Sequence, residues 1–394
     1  MVERTDIATN TRKQVALIFD HNENWIAGTY YITNLIHALN TLSEKPHIHI
    51  YTNANDRKII EIINYPYISY HKIIDGHYDY PKLKSIVNRV AMRLFKKEIF
   101  DERPKKMDIF FPNPSKYCFA KIEEKYKVSW IPDFQEDYLP HFFSSQEVLD
   151  RKSYQLALSE EGKSIIFSSF DAENDFKRLY PNHKNKTFVL QFAVTHPKYQ
   201  ELDINKLKEK YQLPEKYFFA PNQFWKHKNH IVILEAIKIL KEEQKTNQNK
   251  QNYCVAFSGK EEDYRNPDYF ASLQQYVCDN DLTDSIHFLG FIDRREQLQL
   301  MNNAIAVIQP SLFEGWSTVV EDAKAMNAHL ICSDLKVHKE QTNINVNFFD
   351  PHNAKKLAER IQEIKNNQPK IQFCDYQNNI KKFGQEFIKI INHL

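Results

Sequence analysis

One segment, IQPSLFEGWSTVVEDAKAMN, joins an apolar run to a helical pattern and carries several acidic and hydroxyl side chains. Glu314 falls in the loop between the two, at the carboxyl edge of the predicted strand, where open α/β sheets bind ligands. The helix start leaves backbone N–H groups free at Ser317, Thr318 and Val319. With the helix dipole, these groups predict a site for a diphosphate.

The residues around Glu314 divide into binding and structural candidates. Gly315 removes a side chain and lets a ligand come close. Thr318 and Glu321 have the spacing of a capping box, in which each side chain bonds the amide of the other residue. Asp322 could receive ribose hydroxyls, but acids in a first helical turn also complement the helix dipole. We therefore predict a structural role for Glu321 and leave both roles open for Asp322.

A second segment, FFAPNQFWKHKNHIVILEAIKIL, places lysines in a loop after a predicted strand. Lys226 and Lys228 could hold phosphate as point charges, and the alternative is a solvated basic loop. Gly28 stands at another predicted strand-to-helix turn, where a ligand or a neighbouring backbone could approach. A lone glycine is a weak signal, since no G-x-G-x-x-G occurs in the sequence.

A third segment, VSWIPDFQEDYLPHFFS, brings polar residues to a predicted strand end. Asp133 could accept a proton or a sugar hydroxyl, or it could form an Asx turn after the proline. His141 is a candidate for the same site or a surface residue before a helix. Ser168 and Ser169 are expected to cap the next helix rather than act as nucleophiles, because no G-x-S-x-G elbow is present.

Two series of strands and helices must position these loops, which predicts two doubly wound α/β domains with mostly parallel sheets. The break near residues 193–215 gives domains at 1–195 and 196–373. The helix at 374–394 either crosses back to the first domain or stays on the second. The predicted strands are Val15–Phe19, His47–Tyr51, Asp108–Phe111, Val128–Ile131, Ser164–Phe167, Thr187–Leu190, Tyr217–Ala220, Tyr253–Ser258, Ser285–Phe288, Ala304–Ile308 and His329–Cys332.

Composition excludes several classes of protein. The 394 residues carry a net charge of +2, so there is no chain-wide footprint for nucleic acid. The five cysteines include no C-x-x-C pair, which favours a reducing, cytoplasmic location over a disulfide frame or a zinc site. No apolar run approaches the ~20 residues of a membrane span. The apolar stripe within residues 86–106, surrounded by basic residues, favours a domain's own core face, and the alternative is peripheral docking on the inner face of an anionic membrane.

The motifs NQFWKHKNH, SGKEEDYR, LGFI, QPSLFEGWSTVVEDAKAM and SDLKVHKEQ, in this order, resemble the group 1 or family four glycosyltransferases with the GT-B fold. WIAGTYYITNLIHAL and WIPDFQEDYLPHFFS resemble the N-terminal half of the branch found in polysaccharide and O-antigen clusters. The resemblance implies two Rossmann-like domains facing a cleft, a nucleotide-sugar donor, retention at the anomeric carbon, and no metal or other cofactor. It also favours a C-terminal helix that crosses back.

The resemblance assigns roles through a signature of two glutamates with seven residues between them. It puts Glu314 near the donor sugar and makes Asp322 the counterpart that meets the ribose, while Glu321 is one residue early. Gln223 stands where the family commonly has an arginine, so Lys226 or the helix N-terminus must compensate at the diphosphate.

The predicted function is therefore a retaining glycosyltransferase that moves a sugar to a glycan or lipid-linked glycan in surface polysaccharide or lipopolysaccharide biosynthesis. The alternatives are a non-hydrolysing nucleotide-sugar epimerase and a non-catalytic nucleotide-sugar-binding scaffold. The expected catalytic residues are Glu314, Asp133 and His141. The expected donor-binding residues are Gly28, Asn222, Gln223, Lys226, Lys228, Gly259, Gly315, Trp316, Ser317, Thr318, Glu321 and Asp322.

Overall fold

The computed structural model describes most of the chain and contains three sheets. The described residues are 12–21, 26–53, 55–74, 77, 78, 81–97, 99, 100, 106–112, 123–247 and 252–394.

The N-terminal half holds two of the sheets. One has the order β4-β3-β2-β1-β5 and is parallel except for the β3–β4 pair. The other is the parallel sheet β6-β7-β8, and it meets the first where Phe110 bridges to Lys127. The strands are β1 (Gln14–Ile18), β2 (His47–Thr52), β3 (Ile68–Ile74), β4 (His77–Tyr78), β5 (Ile109–Phe111), β6 (Ser129–Ile131), β7 (Ile165–Phe167) and β8 (Thr187–Val189). The helices are α1 (Ile26–Asn40), α2 (Arg57–Glu61), α3 (Lys82–Phe95), α4 (Gln135–Tyr138), α5 (Ser145–Glu161) and α6 (Phe170–Leu179).

The C-terminal half holds one parallel sheet of six strands in the order β11-β10-β9-β12-β13-β14. Numbered from its own first strand this is 3-2-1-4-5-6, the nucleotide-binding Rossmann order, with its switch point between β9 and β12. The strands are β9 (Phe218–Ala220), β10 (Val255–Phe257), β11 (Ile286–Phe288), β12 (Val307–Gln309), β13 (Leu330–Ser333) and β14 (Val346–Phe349). The helices are α7 (Ile204–Lys210), α8 (His230–Asn247), α9 (Tyr269–Asp279), α10 (Arg294–Asn302), α11 (Thr318–Ala325), α12 (Lys336–Gln341), α13 (Ala354–Asn366) and α14 (Gln377–His393).

The predicted strands all overlap observed ones, because most of them are short apolar runs buried in a parallel sheet, although β8 is only partly buried. The prediction missed β3, β4 and β14. The α/β class and the mostly parallel sheets are as predicted.

The C-terminal helix α14 lies against α1 of the N-terminal half. A methyl group placed on Gly384 would sit 2.7 Å from the carbonyl oxygen of Ala38, so the two backbones are in close contact. Phe383 and Phe387 belong to the same buried cluster as the strands β1 and β2. The chain therefore runs between the two halves twice, once near residue 195 and once near residue 376.

The amphipathic helix α3 does not have the core face that the sequence favoured. Its buried residues are Asn88 and Ala91, whereas Leu94 and Phe95 are exposed by 67% and 71%. The prediction that the stripe faces a core is wrong, because the helix packs through its short polar and small side chains. Asn88 bonds the backbone of residues 99 and 100, and the end of the stripe at 101–105 lies outside the described residues. Among the described helices, none combines the length and apolarity required to cross a membrane.

Candidate active site

The carboxylate of Glu314 lies in the loop after β12 and is almost fully buried. Its Oε1 accepts hydrogen bonds from Lys228 Nζ at 2.7 Å, Ser311 Oγ at 2.6 Å and Gln309 Nε2 at 2.7 Å. Burial alone would raise the pKa of Glu314, but the Lys228 ammonium beside it lowers the pKa to about 2. Glu314 is therefore ionised at neutral pH and accepts hydrogen bonds rather than donating a proton.

Polar residues that the sequence prediction missed hold Glu314 in place. Gln309 is fully buried on β12, and its Oε1 accepts from Asn222 Nδ2 at 2.9 Å. Asn222, predicted to bind the donor, therefore supports Glu314 through Gln309. A methyl group on Gly259 would lie 2.2 Å from the Asn222 carbonyl oxygen, so this glycine permits two loops to approach. The sequence offered one signal for the role of Gln309, a glutamine at the end of an apolar strand, because a buried polar side chain needs a hydrogen-bond partner.

Lys226, Lys228 and Gln223, all predicted to bind the donor, lie in different surroundings. Lys228 reaches Glu314, whereas Lys226 is exposed and its Nζ lies 5.7 Å from the Phe142 ring. Gln223 lines a different feature, a cavity of about 250 Å³ bordered by Trp225 and the loop after β10. Lys228 therefore lies beside the loop that carries Glu314, and Lys226 does not.

The start of α11 differs from the predicted capping box. Ser317 has an extended backbone and its Oγ accepts from the Val320 amide at 3.4 Å, so Ser317 rather than Thr318 is the N-cap. The Ser317 amide was predicted to be free, but it donates to Gln341 Oε1 at 3.0 Å. Within the described part of the chain, the amides of Thr318 and Val319 have no acceptor. Two amides remain for an anion instead of three.

The two acids of α11 are both buried, with 1% exposure each. The predicted capping bond between Glu321 and the Thr318 amide is not formed. The Glu321 carboxylate accepts instead from Lys324 Nζ at 2.7 Å, from Gln341 Nε2 and from the Tyr376 hydroxyl. Asp322 Oδ1 accepts from Arg294 Nη2 at 2.5 Å and pairs with His196 Nε2 at 2.9 Å. Burial raises the pKa of Asp322, and the Arg294 charge more than offsets this and lowers it.

Asp133 lies opposite the Glu314 loop, on the N-terminal half. A methyl group on Gly315 would be 2.6 Å from the Pro132 carbonyl oxygen and 2.8 Å from Asp133 Cβ. The loop at Pro132–Asp133 and the loop at Glu314–Gly315 therefore touch at this point, and we call these two loops the lips of the cleft. Asp133 Oδ1 also accepts the Gln135 amide at 3.2 Å, in the Asx turn that was the alternative. Burial raises the pKa of Asp133. The Arg151 charge and the Gln135 amide oppose this shift, and the charges of Glu136 and Glu314 add to it.

Three other predicted residues lie apart from this contact. His141 is exposed and its ring packs on Phe142, and none of the contacts described for it reaches Glu314. Gly28 is the third residue of α1, and the loop at 22–25 before it lies outside the described residues. Trp316 Nε1 donates to the Phe192 carbonyl at 3.1 Å and so faces the other half of the chain.

Of the two serines after β7 that were predicted to cap α6, Ser169 is the N-cap and Ser168 is not, because its hydroxyl is used by Trp130. Ser169 caps α6 by accepting the Ala172 amide at 3.1 Å, as predicted. Ser168 accepts from Trp130 Nε1 at 3.0 Å. Among the described residues, no group of three or more His, Cys, Asp or Glu side chains is arranged to hold a metal.

One segment of the chain matches a known family model. It contains the loops after β9 and β12 and the helix α11. Residues 203–387 match the model of the group 1 glycosyl transferases. Residues 203–387 are a group 1 glycosyltransferase domain. This domain contains Lys228, Glu314 and Asp322.

Known proteins resemble both this glycosyltransferase domain and the rest of the chain. The chain is 26% identical over 234 residues to the O-antigen chain mannosyltransferase RfbU of Salmonella typhimurium, an alignment that spans 59% of each protein. The structure of Anabaena HepE in complex with UDP and glucose superposes with a TM-score of 0.64 at 16% identity and covers 97% of this chain and 100% of that one. The structure of WaaG, a glycosyltransferase involved in lipopolysaccharide biosynthesis, gives a TM-score of 0.55 at 10% identity and covers 94% and 95%. The predicted GT-B fold is thereby confirmed.

Proposed function

We propose that this protein is a retaining glycosyltransferase that moves a sugar from a nucleoside diphosphate sugar to a glycan or lipid-linked glycan during surface polysaccharide or lipopolysaccharide synthesis. The observation that carries the proposal is the Lys228–Glu314 pair, 2.7 Å apart, beside the start of α11 and opposite Asp133. The similarity to RfbU and the UDP and glucose in the HepE structure support the choice of donor and pathway.

The charges at this site suit a departing diphosphate. As the bond to the sugar breaks, negative charge accumulates on the leaving nucleoside diphosphate, and positioned cations and amides lower that barrier. Lys228 supplies the cation, and the amides of Thr318 and Val319 supply two donors at the positive end of the helix dipole. We propose that these groups make a metal unnecessary, so transfer should persist in the presence of EDTA.

Glu314 and Asp133 take different roles in this proposal. Glu314 is ionised and is held by three donors, so it can orient sugar hydroxyls by accepting their hydrogen bonds. Asp133 lies on the opposite lip, where burial raises its pKa, and it faces the acceptor. His141 is proposed to line the acceptor side, on the turn next to Phe142.

The helix α3 gives the protein a surface for the lipid that carries the acceptor. Its exposed apolar residues include Leu83, Ile86, Leu94 and Phe95, and the run KLKSIVNRVAMRLFKK contains six basic residues and no acidic one. Apolar side chains bordered by Lys and Arg suit insertion into an anionic bilayer surface. We propose that α3 docks the enzyme on the inner face of the cytoplasmic membrane.

Flotation with vesicles tests this docking. Wild type should bind vesicles of phosphatidylglycerol and phosphatidylcholine and not vesicles of phosphatidylcholine alone. Phe95→Ser should weaken binding, whereas Phe373→Ser, an equally exposed phenylalanine far along the chain, should not. Equal effects of the two substitutions would contradict docking through α3.

Release of nucleoside diphosphate tests the main proposal. Purified protein is incubated with UDP-glucose or GDP-mannose, with and without a glycolipid extract as acceptor. Release that depends on the acceptor supports transfer. Conversion of the donor without an acceptor indicates an epimerase, and binding without conversion indicates a scaffold.

A further inference from the structure

Two further contacts between the halves of the chain flank the lips of the cleft. The lips follow β6 and β12, and these strands pair with β7 and β13. The helices that come after β7 and β13, α6 and α12, meet on that side of the lips. In the C-terminal sheet β10 lies on the other side, beyond β9, and the loop after β10 meets the start of α5. A carboxylate stands at the centre of each contact.

The first carboxylate, Glu340 in α12 of the C-terminal half, caps a helix of the N-terminal half. Its Oε1 accepts the Phe170 amide at 2.8 Å and its Oε2 accepts the Asp171 amide at 3.1 Å, at the first two residues of α6. Oε1 also accepts from Gln191 Nε2 at 2.6 Å. Negative charge is favoured at a helix start by the unpaired amides and by the helix dipole. Within the described chain, every hydrogen-bond partner of Glu340 lies in the other half.

The helix α6 also has a cap from its own half. Ser169 Oγ accepts the Ala172 amide at 3.1 Å. Phe170 is exposed by 54%, so water could solvate the first amides of α6 if Glu340 moved away. The helix can therefore begin at the same place without Glu340, and what Glu340 adds is a connection between the halves.

The second carboxylate, Glu147 in the first turn of α5, divides its oxygens between the halves. Oε2 accepts from the amide and the hydroxyl of Ser144 at 2.9 and 3.0 Å. Oε1 accepts from the Tyr264 hydroxyl at 2.9 Å and lies 3.5 Å from Arg265 Nε, both in the C-terminal half. Burial raises the pKa of Glu147, but the hydrogen bonds from Ser144 and Tyr264 and the Arg265 charge lower it to about 2. Glu147 is therefore ionised at neutral pH.

We propose that Glu340 and Glu147 are positioning residues that hold the lips of the cleft together from both sides. We call their two contacts the clamp. Each carboxylate bonds groups of the opposite half, so separation of the lips breaks both contacts. The proposal rests on the proposed function, in which the donor sugar lies between the lips. The clamp raises the population with touching lips, and the apparent donor affinity rises with that population.

A matched pair of substitutions at the start of α6 tests the Glu340 side of the clamp. Glu340→Ala removes the cap that comes from the other half, while Ser169→Ala removes the cap that comes from the same half. Both should lower the urea midpoint. Only Glu340→Ala should enlarge the radius of gyration of ligand-free protein in small-angle X-ray scattering. A Glu340→Ala variant that scatters like Ser169→Ala would overturn the proposal.

Steady-state kinetics separate a clamp from a general loss of structure. Glu340→Ala should raise KM for the donor by about tenfold or more, the factor that corresponds to one hydrogen bond to a charged group. Saturating donor restores the touching lips, so kcat should stay within about twofold of wild type. A fall in kcat with unchanged KM would contradict the clamp.

A second pair of substitutions tests the Glu147 side. Tyr264 is exposed by 60%, so Tyr264→Phe should fold as wild type does. Tyr211→Phe is its control, because the Tyr211 hydroxyl bonds Glu296 within the C-terminal half. Tyr264→Phe should enlarge the radius of gyration, and more so when combined with Glu340→Ala, whereas Tyr211→Phe should not. Equal scattering by the two tyrosine variants would refute the role of Glu147.

The scattering of ligand-free protein does not depend on the identity of the donor. If calorimetry shows that wild type binds neither UDP nor GDP, the proposed function fails. The comparison of Glu340→Ala with Ser169→Ala then still decides whether the clamp holds the lips together.

Discussion

Substitution of Gly315 by alanine perturbs the contact between the two lips of the cleft with a single methyl group. That methyl group would lie 2.6 Å from the Pro132 carbonyl oxygen and 2.8 Å from Asp133 Cβ. Both are atoms that cannot rotate away. Because ordinary contact begins near 3.4 Å, the lips must separate by about 0.8 Å.

The expected result is a loss of rate with little loss of stability. Opening the cleft relieves the clash, so we expect the free energy of unfolding to change by less than about 1 kcal/mol, as for substitutions outside a packed core. The separation of Glu314 from Asp133 increases, and a misplacement near 1 Å costs on the order of 10²-fold in rate. We therefore expect kcat for diphosphate release to fall between about tenfold and a hundredfold.

The assay pairs urea unfolding with the steady-state rate, and Gly162→Ala is the control. Gly162 ends α5 with a φ of 66°, and a methyl group there meets only Lys184 at 3.7 Å. Alanine in that conformation costs roughly 1 kcal/mol or more in stability and should leave kcat unchanged. Wild-type kcat in Gly315→Ala, or a loss of stability as large as that of Gly162→Ala with no specific loss of rate, would refute the reasoning.

Three further predictions concern the charges of the site and the buried histidines. Lys228→Met should weaken binding of UDP or GDP by about 1.5–3 kcal/mol, the value of a hydrogen bond to a charged group, and calorimetry with no change would contradict its role. Glu314→Gln should lower the free energy of unfolding by about 3 kcal/mol, because a pKa of about 2 instead of 4.5 corresponds to roughly that preference for the carboxylate at about 1.4 kcal/mol per pKa unit, and it should reduce kcat. Burial lowers the pKa of His227 and of His230 to about 3. Between about pH 3 and 6.5 the unfolded chain therefore binds more protons than the folded protein, so the free energy of unfolding should fall as the pH is lowered through this window. Urea unfolding midpoints that stay level below about pH 6 would contradict the burial of these neutral rings.

The alternation of strands and helices could be predicted because each buried strand is a short apolar run between turns. Ile68–Ile74 and Val346–Phe349 were missed because their sequences, ISYHKII and VNFF, mix polar and apolar residues. Ser317 and Thr318 are both good N-caps, so the sequence could not decide which residue begins α11.

The surroundings of the site depended on contacts between residues far apart in the chain. Tyr376 meets Glu321 and Arg294 meets Asp322 only once the sheets are assembled, and no local spacing signals either pair. The stripe on α3 was recognised as amphipathic, but periodicity does not say whether protein or solvent covers the apolar side.

The location of the donor is the central claim, and hydrogen–deuterium exchange with UDP-glucose or GDP-mannose tests it most directly. Bound donor should slow exchange at the amides of Thr318 and Val319 and in the loop of residues 222–230. Slowed exchange confined to other regions, or no change at millimolar donor, would contradict a donor site at Lys228, Glu314 and the start of α11.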